Sequence, residues 1–149
     1  MGKDLEVEDL SLHILDIVEN SLRANARNIE IKLTEDGTRD KLILEIKDDG
    51  EGMSEETTQH ALDPFFTTKN GKQVGLGLSF LAQSAEEAGG ELRIESAIGE
   101  GTRVIADFRL SHIDRKPLGD IGETIRCLEA THPEVHFSFE HRSLGMDER

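Results

Sequence analysis

Leu42-Ile43-Leu44-Glu45-Ile46-Lys47 alternates like a strand and runs directly into Asp48-Asp49-Gly50-Glu51-Gly52. Leu42, Leu44 and Ile46 share one face, as period-2 alternation requires. The acidic, glycine-containing stretch that follows cannot continue a strand. Asp-Gly by itself marks a tight turn. Two glycines separated by one residue do more, because they let the backbone come close to a flat ligand. Asp48 can accept a hydrogen bond from an exocyclic amine, a donor that adenine offers and guanine does not offer at the same position. On this stretch alone, a turn and a base contact are both open readings.

Upstream, residues 28–34 alternate with Ile29, Ile31 and Leu33 on one face, and Asp36-Gly37 marks a hairpin turn. Residues 10–26 have helical period, with Asp9 or Ser11 available as a cap. Leu10, Ile14, Leu15, Ile17, Val18 and Leu22 fall on one broad side. Asp16, Asn20, Arg23 and Arg27 form a narrow stripe opposite. Such a stripe suits a solvated face, and it equally suits a metal–phosphate face. In the second case the Asn20 carbonyl ligates a hard cation such as Mg²⁺. Arg23 contacts phosphate, and Asp16 orients a water or hydroxyl for attack on a γ-phosphate.

Downstream, Ser54 caps a short helix reaching about residue 61. Residues 62–74 read as an irregular loop carrying Phe65 and Phe66, which anchor it, and Lys69 and Lys72, which face phosphate or only solvent. Gly75-Leu76-Gly77-Leu78 opens a helix that Gly89-Gly90 stops near residue 88. A helix N-terminus presents free N–H groups and suits phosphate. No Gly-Lys-Ser/Thr follows, so this is not a Walker A loop. Residues 91–96 and 102–110 are strands joined across Gly99-Glu100-Gly101, and the Thr102 hydroxyl could assist at a base. After Leu110 comes a polar stretch with Pro117, a helix at 121–130, a strand at 135–139 and a frayed end from residue 144. The element order implies an α/β (α+β) two-layer sandwich, with helices on one face of a mixed, mostly antiparallel sheet.

The 149 residues carry 17 basic and 31 acidic side chains, a net charge of −14. That excludes general affinity for nucleic acid or an anionic membrane, which need a cationic surface. A small anionic ligand stays compatible, because a few placed cations and N–H groups dominate locally. Cys127 is the single cysteine, so an intrachain disulfide is excluded, and its helical setting predicts a buried thiol. His13 reads as a partly exposed helix histidine. His136 and His141 point to opposite faces of a strand, and no cysteine cluster joins them or His132 in a zinc set. No apolar run reaches membrane-span length, and the charged start is unlike a signal peptide, so a soluble cytoplasmic protein is expected.

Taken together, the ordered motifs from residue 10 to 110 resemble the GHKL superfamily of nucleotide-binding domains. Leu15-Asp16-Ile17-Val18-Glu19-Asn20-Ser21-Leu22 looks like its N box, which implies Asn20 as Mg²⁺ ligand, with Arg23 after it as in histidine kinases. Asp48 to Gly52 looks like the G1 box, which implies Asp48 at the adenine amine and Gly50, Gly52 and Met53 around the ring. Asp63-Pro64-Phe65-Phe66-Thr67-Thr68-Lys69 is similar to the F box in the ATP lid. Val74-Gly75-Leu76-Gly77-Leu78 looks like the G2 box, with Gln73 where an earlier glycine is usual. Gly99-Glu100-Gly101-Thr102 resembles the later G-x-G-T element near adenine. The resemblance implies the Bergerat fold, with ATP and Mg²⁺ as cofactors. Asp16 stands where hydrolysing members carry Glu.

The expected function is a stand-alone histidine-kinase-like catalytic subunit that phosphorylates a partner protein on His or Ser, since the domain begins almost at Met1. The alternatives are a nucleotide-dependent regulatory module, like an anti-sigma factor, and a slow ATPase using Asp16. Residues 1–111 are expected to form the ATP-binding domain. Residues 112–149 are expected to be a helix–strand extension packed on it, adding to the sheet or forming a homodimer contact.

Overall fold

The computed structural model describes residues 9–63, 76–115 and 117–145. Helix α1 spans Leu10–Arg23, and Asp9 caps it by accepting the Leu12 N–H at 3.1 Å. Leu10, Ile14, Ile17 and Val18, at helical spacing, are buried. The helix stops short of the expected residue 26. Asn25 adopts φ 63°, a left-handed conformation that asparagine tolerates, and the Ala26 N–H turns back to the Ser21 carbonyl at 3.1 Å. Arg27 therefore leaves the polar stripe.

Strands β1 (Asn28–Asp36) and β2 (Lys41–Asp48) form an antiparallel hairpin. Asp36 organises its turn, accepting from the Thr38 hydroxyl at 2.6 Å and Arg39 Nε at 2.9 Å. Those bonds, the Thr38 hydroxyl first, hold its carboxyl down at about 2. Ser54 caps the short helix α2 (Glu55–Gln59). Helix α3 (Leu76–Glu87), the hairpin β3 (Leu92–Ala97) and β4 (Gly101–Arg109), helix α4 (Ile121–Thr131) and strand β5 (His136–Leu144) follow.

The strand order is β3-β4-β2-β1-β5. Only the β1–β5 pairing is parallel among the described strands. The sheet is thus mixed and mostly antiparallel, as expected. Ile29, Ile31, Leu33, Leu42, Leu44, Ile46, Val104, Ala106 and Phe108 share one buried face. They form one core with residues of α1, α3 and α4. The opposite face carries charge, with Arg103 paired to Glu45 at 2.7 Å and Glu95 at 3.0 Å.

β5 runs to Leu144, well past the expected residue 139, because β1 supplies a partner along its whole length, from Asn28↔His136 to Asp36↔Leu144. Backbone pairing extends the strand where exposed polar side chains show no alternation. The segment before α4 also grips α1, through Leu10 N–H to the Pro117 carbonyl (2.9 Å) and Ser11 N–H to the Leu118 carbonyl (3.2 Å). Because α3 and α4 both pack on α1, its buried arc is wide enough to include His13, which is 3% exposed rather than partly exposed as expected. Cys127 is exposed, not buried. The inward face of α4 is Ile121, Ile125 and Leu128, and Cys127 falls outside it. Among the described residues, no helix is long and apolar enough to cross a membrane.

Candidate functional site

Strand register places a polar row at one end of the apolar sheet face. Ile46 pairs with Val104, which pairs with Ile94. Two residues further on, Asp48 pairs with Thr102, which pairs with Ser96. These three line an open cleft of about 270 Å³ at the end of the β3–β4 hairpin, together with Glu95, Glu100, Gly101 and Arg103. Asp48 is 8% exposed, and both its oxygens are engaged. Ser21 Oγ donates to Oδ2 at 2.6 Å, and the Gly50 N–H donates to Oδ1 at 2.8 Å. Ser96 Oγ lies 2.8 Å from Thr102 Oγ1 and accepts the Met53 N–H at 2.8 Å.

The segment from Asp49 to Met53 is threaded between the end of α1 and the β3–β4 hairpin. Asp49 accepts the N–H groups of Arg27 and Asn28 and the Asn28 side-chain amide. The Asn28 amide is the main cause of its lowered pKa. Glu51 donates its N–H to the Ala24 carbonyl at 2.8 Å and accepts the Gly99 N–H at 2.7 Å. Gly52 has φ 74°, and a Cβ there would stand 2.0 Å from the Ala97 carbonyl oxygen. Only glycine fits, and the cradle stays flat.

The second part of the site lies on the outer face of α1. Asn20 is half-buried, and its Oδ1 accepts from Arg23 Nη1 at 3.1 Å. Asp16 is exposed. A Cβ on Gly77 would stand 3.1 Å from the Asp16 Cβ, so the first turn of α3 abuts α1 there. Leu78 buries its side chain in the core, so only its backbone is left to offer a ligand. Leu76 opens α3. Lys69, Lys72, Gly75, Phe65 and Phe66 lie outside the described residues. The donor set fits Mg²⁺: Asn20 presents a hard amide oxygen, held by a cation that a metal can replace.

The family model described as histidine kinase-, DNA gyrase B-, and HSP90-like ATPase matches residues 6–112. The chain belongs to that family. It is an ATP-binding domain of the GHKL kind, similar to the catalytic domains of histidine kinases, and the resemblance read from the motifs holds. Sporulation kinase C of Bacillus subtilis (strain 168) is 32% identical over 88 residues, 59% of this chain and 20% of that protein. A putative sensor protein of Shewanella frigidimarina is 32% identical over 111 residues, 73% of this chain and 17% of that protein. Sensor protein SrrB of Staphylococcus aureus is 34% identical over 97 residues, 62% of this chain and 17% of that protein. The chain thus spans about a fifth or less of the length of these curated relatives. The structure of the Aquifex aeolicus MutL ATPase domain complexed with ADP superposes with a TM-score of 0.59 at 19% identity, covering 88% of this chain and 59% of that one. It shows the same fold.

Two residues of this GHKL domain escaped the sequence reading. Ser21 stands beside Asn20 but on the buried side of α1, and Ser96 faces Thr102 across the hairpin. A signal existed for each: a serine inside an otherwise apolar helix face, and a polar residue after Leu92 and Ile94 on the inward face of a strand.

Proposed function

We propose that this chain binds Mg·ATP beside Asp48 and acts in the cytoplasm as a catalytic domain, transferring the γ-phosphoryl group to a partner protein. The observation that carries the reading is the buried Asp48 carboxylate, oriented by Ser21 and Gly50 beside the polar row of Thr102 and Ser96. Its remaining lone pairs suit the adenine amine, and Thr102 lies next to it in the row. On the same helix as Ser21, Asn20 and Arg23 would meet the metal and the phosphates. Mg²⁺, when bound, offsets phosphate charge. The first turn of α3, at Leu76, Gly77 and Leu78, has backbone N–H groups without intrahelical acceptors, which suits phosphate. Similarity to sensor proteins and sporulation kinases supports transfer to a protein rather than to water.

A second reading, ATP hydrolysis with Asp16 ordering the water, draws on the closeness of Asp16 to Gly77. Incubation with γ-labelled ATP and candidate partners separates the two. Label on a partner supports transfer, acid-labile for His and acid-stable for Ser. Phosphate release that Asp16→Asn abolishes supports hydrolysis. Absence of any thermal shift at millimolar Mg·ATP would overturn the ATP site itself.

A further inference from the structure

Ser21 lies in the last turn of α1, where alanine would be the better helix former. A helical serine ordinarily turns its hydroxyl to solvent or to the carbonyl four residues back. Here the residue is 2% exposed, and its hydroxyl reaches Asp48 across 27 residues of sequence, at 2.6 Å. An ionised carboxylate only accepts, so Ser21 is the donor. The Gly50 N–H occupies the other oxygen. One donor on each oxygen fixes the carboxylate plane. A carboxylate has about four lone-pair sites, so each oxygen retains an acceptor site. Gly50 alone would leave the carboxylate free to turn about its χ2 bond. Ser96 and Thr102 bond to each other and do not hold it.

We propose that Ser21 is a positioning residue that fixes the plane of the Asp48 carboxylate, and that it thereby sets the preference for a purine bearing an exocyclic amine. The inference rests on the ATP-site reading.

Calorimetric titration of the full chain with Mg·ATP and with purine riboside triphosphate, which has hydrogen in place of the 6-amine, tests this. Wild type is expected to prefer ATP. Ser21→Ala is expected to bind ATP about tenfold more weakly and the amine-free analogue as wild type does. Ser21→Thr, which keeps the hydroxyl, is expected to restore the preference. Thermal melts without nucleotide establish that each variant is folded. If Ser21→Ala does not fold, Ser21→Cys, a near-isosteric weak donor, replaces it with the same expectation of a reduced preference. An equal loss for both nucleotides, or an unchanged ATP-to-analogue ratio, overturns the positioning role while leaving the site intact. Failure of wild type to bind either nucleotide overturns the site reading and this inference with it.

Discussion

The proposed base end and the proposed phosphate end of the site are built in opposite ways. At the base end, Asp48, Ser96, Thr102 and Ser21 are held by strand register and by hydrogen bonds among themselves, and Asp48 and Ser21 are buried. At the phosphate end, Asp16 and Arg23 are exposed on a helix face, and Asn20 is held by one bond to Arg23. A rigid end suits a flat base whose donors and acceptors do not change during reaction. A loosely held end suits a triphosphate and metal whose charges shift, since side chains there exchange partners at little cost. One helix serves both: its inner face carries Ser21, bonded to Asp48, and its outer face carries Asp16, Asn20 and Arg23.

Four changes would break or sharpen that contrast. The largest effect is expected at the glycine cradle. Gly52→Ala forces a left-handed alanine against the Ala97 carbonyl, and stability measured by urea unfolding is expected to fall by about 3 kcal/mol. An unaltered urea midpoint would mean that the base end is softer than its geometry. Asp48→Asn replaces one acceptor oxygen by a donor while keeping the shape, and ATP affinity by calorimetry is expected to drop roughly 100-fold. Asn20→Ala acts at the other end. It is expected to weaken ATP binding about tenfold with Mg²⁺ present and to leave binding in EDTA unchanged, with its fold intact because the residue is at the surface. A loss that persists in EDTA would show that Asn20 supports the base end instead.

The smallest effect concerns Asp36, which resembles Asp48 in burial and in its donors but lies at the β1–β2 turn. Its pKa is lowered from 3.8 to about 2. A depressed carboxylate contributes stability that is fully present above its unfolded pKa and is lost as pH falls through the folded one. Wild type and Asp36→Asn should therefore differ by a constant amount in urea midpoint above about pH 4, and should converge as pH falls toward 2. ATP affinity should not differ between them. The pair would show that a carboxylate ringed by donors is a structural device at a turn and a recognition device only where it lines a cleft.

Most of the architecture could be read from the chain because the strands alternate cleanly and the helices are punctuated by Asp9, Ser54 and Gly89-Gly90. Asp48, Gly52 and Thr102 stood out for the same reason, since each interrupts a periodic pattern. What stayed hidden depends on partners far away in sequence. The second half of β5 is strand because β1 lies beside it, not because residues 140–143 alternate. His13 is buried because α4 also packs on α1, and Cys127 is exposed because the core takes a different arc of α4. The Ser21 bond to Asp48 required knowing how α1 is rotated over the sheet, which helical period gives only to within a broad arc.

The position of β1 bears on the order in which the molecule assembles. Ile29 meets Asp48 on one side and Phe137 on the other. The first pairing closes a hairpin soon after its residues leave the ribosome. The second waits for a strand far downstream, and contacts so distant in sequence form slowly. Until then the outer edge of β1 has unpaired N–H and C=O groups, and the part of α1 that α4 will cover is open to water. A nascent chain that has completed its nucleotide-binding row therefore still carries a bare strand edge, the kind of surface on which misassembly starts. Arrival of β5 and α4 closes it, so this later segment acts as the latch of the fold.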